Sequence, residues 1–201
     1  MMPTPASTVV VVRQGQEDIE VLLLLRSAAL KFNGDCWVFP GGRIDPEDYP
    51  DVQRQQEYRA AQRAAVRETL EEAGLDISGE ALLHFAHWTT PEGMSRRFST
   101  WFFLCVVSVP TPVRVDAQEI LAHRWLSPRA ALALHHSGEC KLPEPTLQTL
   151  QGFTAFRDLA SLRASRRFQS MCSQKTLPSI DLKRLTAEER LVAALRSKLV
   201  R

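Results

Sequence analysis

The run of residues 64–75, Ala-Ala-Val-Arg-Glu-Thr-Leu-Glu-Glu-Ala-Gly-Leu, constrains the fold of this chain more than any other stretch. Alanine, arginine, glutamate and leucine all favour helix, and Gly74 is the residue type that commonly ends a helix in the left-handed conformation. The helix-forming composition extends back to Asp51 or Val52, where we expect the helix to begin. The sequence therefore predicts one long helix that ends at Gly74.

Three glutamates share one face of this predicted helix. Glu68, Glu71 and Glu72 are spaced by three and four residues, which places their side chains next to one another. Like charges at this spacing cost roughly 0.2–0.5 kcal/mol per pair, so the cluster by itself opposes the helix. A divalent cation would remove that cost, because Mg²⁺ and Mn²⁺ prefer oxygen ligands. The alternative is a solvated acidic face on which Arg67 pairs with Glu71, and the helix alone leaves both interpretations open.

The segment before the helix, residues 37–45, is an apolar run broken by Pro-Gly-Gly. Pro40 is expected to end a strand, because proline cannot donate a hydrogen bond to a neighbouring strand. Gly41 and Gly42 carry no Cβ, so the backbone can approach a ligand closely at this point. The segment therefore predicts the end of a strand, where the backbone can lie close to a ligand.

Together, the glycine pair and the helix resemble the Nudix box, the glycine-to-glutamate signature of the Nudix hydrolases. Gly42 matches its start, and residues 67–75 match its end in the order Arg-Glu, two residues, Glu-Glu, one residue, Gly and an aliphatic residue. The resemblance covers about residues 7–157. It implies the Nudix fold, an α/β/α sandwich around a mixed β-sheet in the α/β (α+β) class.

The chain departs from the box in one place. Gly42 and Arg67 lie farther apart than the family pattern allows, which predicts an insertion over about residues 48–58. The first glutamate of the box has no clean counterpart as a result. Counting forward from Gly42 reaches Asp48, whereas counting back from Arg67 reaches Arg59, with Glu57 close by. The sequence leaves this position unassigned.

The resemblance implies roles for several residues. Glu68, Glu71 and Glu72 would hold Mg²⁺ or Mn²⁺, and Arg67 would orient a glutamate through an ion pair. Either Glu68 or Glu119 would be the base that activates water, a choice that the sequence leaves open. The catalytic set implied by the family is therefore Arg67, Glu68, Glu71 and Glu119, and the substrate-binding set is Arg26, Gly41, Gly42 and Arg97.

Two further stretches resemble one branch of the family, the coenzyme A diphosphatases related to the mammalian peroxisomal enzyme. Residues 22–27, Leu-Leu-Leu-Leu-Arg-Ser, precede Phe32, Gly34 and the Phe-Pro-Gly-Gly run with the spacing of that branch. Residues 88–98 repeat its Thr-Pro-Glu and Arg-Arg-Phe stretch. The alternatives are an ordinary strand, loop and strand, and a hairpin loop with solvated arginines.

The family resemblance implies a substrate class, a nucleoside diphosphate linked to another group. Coenzyme A or an acyl derivative is the first choice, and ADP-ribose, NADH or another dinucleotide is the runner-up. A non-catalytic Nudix domain that senses nucleotides is the alternative from a different class. Such domains typically lose box glutamates, whereas Glu68, Glu71 and Glu72 are all present here.

Composition bounds the remaining possibilities. A chain of 201 residues with 44% hydrophobic content suits one domain, with a C-terminal helical extension over about residues 158–201. A net charge of +2 implies no general nucleic-acid or membrane-surface partner. No apolar run reaches the roughly 18 residues of a membrane helix. The four cysteines have no CxxC spacing and are expected to be reduced thiols, which favours a cytoplasmic protein.

Local patterns predict the order of the elements. The first six residues are expected to be irregular. A helix is expected from the Ser127 cap to Gly138, and another from Pro145. A final helix opens at Thr186, and its leucine stripe needs either the domain itself or a second copy in a homodimer to pack against. The expected strands are residues 7–13, 19–26, 81–89, 96–109 and 119–126.

Overall fold

A mixed β-sheet with helices on both faces organises the computed structural model, which describes residues 2–50, 57–94, 96–108 and 112–164. The strands within these ranges are β1 (Thr4–Gln14), β2 (Ile19–Arg26), β3 (Trp37–Val38), β4 (Gly41–Arg43), β5 (Leu83–Thr89), β6 (Phe98–Val106) and β7 (Ile120–Leu126). The helices are α1 (Glu57–Ala73), α2 (Pro128–His136), α3 (Glu144–Phe153) and α4 (Leu159–Ala164), with a 3₁₀ turn at Pro46–Asp48.

The longest strand, β1, pairs with three others. Its last residues form an antiparallel hairpin with β2, in register Val12 to Val21. Its first residues pair antiparallel with β4, in register Ser7 to Gly42. Along its other edge it runs parallel to β6. The Phe-Pro-Gly-Gly segment therefore enters the sheet where β1 and β2 diverge, and it brings the glycine pair beside β1.

Alternation along β1 divides the core into two layers. Val9 and Val11 face the alanine-rich side of α1, where Ala60, Ala61, Ala64 and Ala65 are fully buried. Val10 and Val12 face the opposite layer, which includes residues of α2 and α3. Because the small alanines add little bulk, α1 packs close to the sheet. The predicted α/β/α sandwich around a mixed sheet is confirmed.

The first strand begins earlier than its sequence indicates. An irregular start was expected over the first six residues, but β1 begins at Thr4. The Thr4 N–H donates to the Arg97 carbonyl at 2.8 Å, and Ala6 pairs with Arg43. Partners distant in the sequence therefore extend the strand, which local composition does not reveal.

Several predicted boundaries shift or fall outside the described ranges. The strand expected over residues 96–109 is β6, Phe98–Val106. The expected helix start near Asp51 lies outside the described residues, as do the helix from Thr186 and most of the C-terminal extension. The other predicted strands and the helix that Ser127 caps are confirmed within a few residues. Within the described ranges, no helix has both the length and the apolar character needed to span a membrane.

Candidate active site

Helix α1 carries the acidic cluster at its C-terminal end, and Gly74 fixes where the helix stops. Gly74 has a φ of 64°, and its N–H donates to the Leu70 carbonyl at 2.9 Å. A Cβ at Gly74 would lie 3.0 Å from the Arg114 carbonyl oxygen, so this ending requires glycine in both conformation and space. The predicted helix end is confirmed, and it places residues 67–72 beside the 3₁₀ turn and β4.

Arg67 is the hub of an ion-pair network. Its guanidinium binds Asp48 through two contacts, Nε to Oδ1 at 3.1 Å and Nη2 to Oδ2 at 2.9 Å. Nη1 donates to Glu68 Oε1 at 3.0 Å and to Glu71 Oε2 at 3.1 Å. The hydrogen bond to Asp48 and the neighbouring carboxylates raise the pKa of Arg67. The network holds Glu68 and Glu71 in place. The orienting role of Arg67 in catalysis stays a prediction.

Asp48 is the site residue whose role the sequence left open. Its side chain is almost fully buried, and it also accepts the Asp45 N–H at 2.9 Å. Of the positions considered for the missing first carboxylate of the box, Asp48 is the one bound to Arg67. Arg59 is exposed, and Glu57 accepts a hydrogen bond from the Trp101 ring N–H instead. In the sequence, the feature that pointed to Asp48 was the count forward from Gly42.

Gly42 lies against Glu68. A Cβ at Gly42 would sit 2.2 Å from Glu68 Oε1, so the carboxylate occupies space that any other residue would fill. Burial raises the pKa of Glu68, and the Arg67 guanidinium opposes that rise. The glycine at this position therefore makes room for a partly desolvated carboxylate.

Glu72 is bound to the other glycine. Its Oε2 accepts the Gly41 N–H at 2.9 Å, and its Oε1 is 3.4 Å from Arg26 Nη1. The side chain is only 5% exposed, and burial raises its pKa to about 8. Since the Gly41 N–H and Arg26 lower the pKa, desolvation outweighs both. A carboxylate in this environment favours an additional cation.

Arg26, the last residue of β2, joins this site to the start of β7. Its Nη2 is 3.9 Å from Glu119 Oε2, and the Glu119 side chain is 59% exposed. The Arg26 Nε is buried and has no hydrogen-bond partner among the described residues. Arg26 and Glu119 were both predicted as site residues, and the structure brings them together. A buried donor of this kind is suited to an anionic ligand.

The chemistry of the acidic cluster suits a hard divalent cation. Glu68, Glu71 and Glu72 supply carboxylate oxygens, which Mg²⁺ and Mn²⁺ prefer. Within the described parts of the chain, however, no group of three or more acidic, histidine or cysteine side chains is arranged to hold a metal ion. Glu68 and Glu71 turn toward Arg67, whereas Glu72 turns toward Gly41. The donor set fits the ion, and binding would require these side chains to turn.

Arg97 is the predicted site residue with the weakest link to the cluster. Its Nε donates to the Thr90 carbonyl at 3.1 Å, and its own carbonyl accepts the Thr4 N–H. These bonds connect the loop before β6 to the start of β1. A phosphate-binding role for Arg97 stays a prediction.

Comparison with known proteins places this geometry in a family. The sequence profile of the NUDIX domain matches residues 2–142. The chain is 37% identical to the acyl-coenzyme A diphosphatase NUDT19 of Homo sapiens over 84 residues, 41% of this chain and 22% of that protein. It is 25% identical to putative nudix hydrolase 7 of Caenorhabditis elegans over 173 residues, 69% of this chain and 57% of that protein.

The solved structure of a NUDIX hydrolase from Alicyclobacillus acidocaldarius superposes with a TM-score of 0.72 at 24% identity, covering 89% of this chain and 99% of that one. That likeness concerns the fold. The chain spans 22% and 57% of the lengths of the two curated relatives above. The predicted resemblance is confirmed over most of the described residues: the chain belongs to the NUDIX domain family.

Proposed function

We propose that this protein is a metal-dependent diphosphatase that acts on a nucleoside diphosphate linked to another group. The observation that carries the proposal is a pair of carboxylates, the buried Glu72 and the partly buried Glu68. Glu72 accepts the Gly41 N–H, and Glu68 lies against Gly42. Desolvated carboxylates at a glycine backbone, with Arg26 beside them, provide both negative ligands for a cation and a positive group for a phosphate.

Glu68, Glu71 and Glu72 would hold Mg²⁺ or Mn²⁺. The bound ion would lower the pKa of water and screen charge on the phosphoryl oxygens. The chain's own residues do the rest: Arg67 orients Glu68 and Glu71, and Arg26, whose side chain is 18% exposed, binds a phosphoryl oxygen through its guanidinium. Water adds to one phosphorus, the P–O–P bridge breaks, and each half leaves as a phosphate monoester.

The base that takes the proton from water is one of two glutamates. Burial raises the pKa of Glu68, and the Arg67 guanidinium, 3.0 Å from its Oε1, opposes that rise. Glu119 is 59% exposed and 3.9 Å from Arg26, so it can reach a water beside a phosphate that Arg26 binds. Pre-steady-state rates of Glu68→Gln and Glu119→Gln across pH would separate them, because only loss of the base removes the acidic limb of the profile.

Coenzyme A or an acyl-coenzyme A is the first choice of substrate, cut into a phosphopantetheine part and adenosine 3′,5′-bisphosphate. Two observations support it: the Leu-Leu-Leu-Leu-Arg-Ser stretch that contains Arg26, and the identity to a protein named acyl-coenzyme A diphosphatase. ADP-ribose, NADH or a dinucleotide is the alternative within the same chemistry. A panel of coenzyme A, ADP-ribose, NADH and diadenosine polyphosphates tests this choice, and dominant cleavage of ADP-ribose would defeat it.

The activity itself is tested with box variants. Glu71→Gln and Glu72→Gln should lower kcat/KM by roughly 100-fold or more, because the ion contributes several kcal/mol of charge stabilisation. Glu80→Gln is the matched control, since Glu80 is an exposed glutamate in the turn after α1. Turnover that is equal in all variants, or that survives a chelator, would contradict the metal-hydrolase proposal. Nucleotide binding without any turnover in the wild type would favour the non-catalytic nucleotide sensor.

A further inference from the structure

Residue 26 precedes the loop formed by residues 27–36, and backbone hydrogen bonds tie the far end of this loop back to Arg26. The Asp35 N–H donates to the Arg26 carbonyl at 3.0 Å, and the Arg26 N–H donates to the Cys36 carbonyl at 3.0 Å. The Ser27 N–H donates to the Glu119 carbonyl at 2.7 Å. Any ligand that reaches Arg26 therefore lies beside this loop.

The loop has a defined shape. Asn33 and Asp35 adopt the left-handed conformation, with φ of 52° and 59°. A Cβ at Gly34 would lie 2.7 Å from the Leu30 carbonyl oxygen, so the turn is too tight for another residue. Asp35 also pairs with Lys141, on the segment after α2. These contacts hold the residues at the tip of the loop in one arrangement.

An aromatic pair stands at this tip. The Phe32 ring is 38% exposed and contacts the Phe98 ring, with centroids 5.0 Å apart and planes inclined at 51°. Phe98 begins β6 and shares its side of the strand with Phe102 and Leu104, which face the layer opposite α1. The loop thus connects Arg26, which contacts Glu72 of α1, with an aromatic surface on the other side of the sheet.

The register of β1 gives the separation between the two places. Gly42 pairs with Ser7, and Phe98 pairs with Thr4, three residues earlier on β1. That is roughly 10 Å along the strand and roughly two strand spacings, again about 10 Å, across the sheet. A nucleotide whose diphosphate lies at the glycine pair can span this separation with its sugar and base.

We propose that Phe32, supported by Phe98, binds the adenine base of the substrate while the diphosphate lies at Arg26 and the glycine pair. The inference rests on the proposed function. It adds that the nucleoside half of the substrate binds at Phe32 and Phe98. Coenzyme A and ADP-ribose both contain an ADP unit, so one surface serves either candidate. A base needs a single flat aromatic face, whereas an acyl chain needs a continuous apolar groove, and Phe32 is flanked by Lys31 and Asn33.

The test measures equilibrium binding without turnover, using the full chain with Ca²⁺ in place of Mg²⁺. The probes are ADP and inorganic pyrophosphate, which share the diphosphate and differ in the nucleoside. Phe32→Ala should weaken ADP binding by about 5- to 150-fold, the range for loss of one base–aromatic stack, and leave pyrophosphate binding unchanged. Phe32→Trp is the matched variant, and it should restore ADP binding because it keeps a flat ring.

Three results would overturn the inference. The first is equal ADP affinity of wild type and Phe32→Ala. The second is an equal loss of affinity for ADP and pyrophosphate in Phe32→Ala. The third is a loss of affinity seen only with acyl-coenzyme A that grows with the length of the acyl chain. Thermal unfolding of Phe32→Ala is measured in parallel to exclude a folding defect. If no diphosphate is hydrolysed but ADP binding still depends on Phe32, the proposed function fails and the base site stands.

Discussion

Arg67 and Asp48 are joined by two parallel contacts, Nε to Oδ1 at 3.1 Å and Nη2 to Oδ2 at 2.9 Å, across 19 residues of sequence. The pair holds the 3₁₀ turn Pro46–Asp48 against the C-terminal half of α1. Because the same guanidinium also holds Glu68 and Glu71, the positions of the 3₁₀ turn and of both glutamates depend on one side chain.

Replacing Asp48 should destabilise the protein and disturb the site. We expect Asp48→Asn to lower the free energy of unfolding by about 1–3 kcal/mol, because a buried charge-assisted pair is lost. Asp45→Asn is the matched control: Asp45 is 3.6 Å from the same guanidinium but 44% exposed, so its loss should cost at most about 1 kcal/mol. Denaturant unfolding measures both, and equal losses would contradict the assigned role of Asp48.

Adding one methyl group at Gly42 should affect catalysis more than stability. A Cβ there would collide with the carboxylate of Glu68, which is the far end of a flexible side chain and can move away. A displacement of about 1 Å at a catalytic group costs on the order of 100-fold in rate, which is the loss of kcat/KM expected for Gly42→Ala.

The control for Gly42→Ala is Gly79→Ala, because a Cβ at Gly79 would meet nothing within 4 Å. Steady-state kinetics and thermal unfolding of both variants check the prediction. Unchanged kinetics in Gly42→Ala would show that Glu68 does not need its observed position.

Acidification should destabilise the protein through His84. Its ring is 6% exposed among Tyr58, Trp101 and Phe103, and burial lowers its pKa to about 4. Between the unfolded pKa of about 6.5 and this value, the unfolded state binds the extra proton, so stability falls as pH falls. The total loss should be about 3 kcal/mol by pH 4.

Denaturant unfolding from pH 7.5 to 4 measures this slope. His84→Gln should be less stable at pH 7.5 and should show a shallower dependence on pH. His123→Asn alters an exposed histidine on β7 and should keep the wild-type slope. An unchanged slope in His84→Gln would assign the pH dependence to other groups.

Replacing the Arg26 guanidinium with the smaller ammonium group of lysine should weaken substrate binding. Its guanidinium lies near both Glu72 and Glu119, and a lysine ammonium cannot contact both in the same geometry. We expect Arg26→Lys to raise KM by about tenfold, with a smaller change in kcat, since one charge-assisted bond to phosphate is worth about 1.4 kcal/mol or more. Arg129→Lys, which alters the ion pair with Asp18, is the control. A loss confined to kcat would assign Arg26 to the chemical step.

The features that the sequence predicts correctly are those set by neighbouring residues. Gly74 ends α1, and Ser127 caps α2 by accepting the Ala130 N–H, because both depend on local backbone geometry. The resemblance also places Gly41 and Gly42 beside the glutamates, and they do contact Glu72 and Glu68.

The features that the sequence does not predict depend on distant partners. The insertion changes the spacing of the box, so only coordinates show that Asp48 is the residue bound to Arg67. Likewise, Thr4 joins β1 because Arg97, far along the chain, accepts its N–H. The expected role of Arg97 at a phosphate came from its charge, whereas its described hydrogen bonds belong to the loop before β6.

Strand β1 pairs with β4 through its first residues and with β2 through its last residues. This arrangement affects how the protein responds to a shift in strand register. Because one continuous strand carries both the hairpin and the glycine pair, a slip of one residue against β4 would turn Thr8 instead of Ser7 toward Gly42 and withdraw the Gly41 amide from Glu72. The position of the Gly41 amide beside Glu72 therefore depends on the register of the whole sheet. Amide hydrogen exchange at Gly41 should be as slow as in the valines of β1, and weakened variants should lose turnover and cooperative structure at the same temperature.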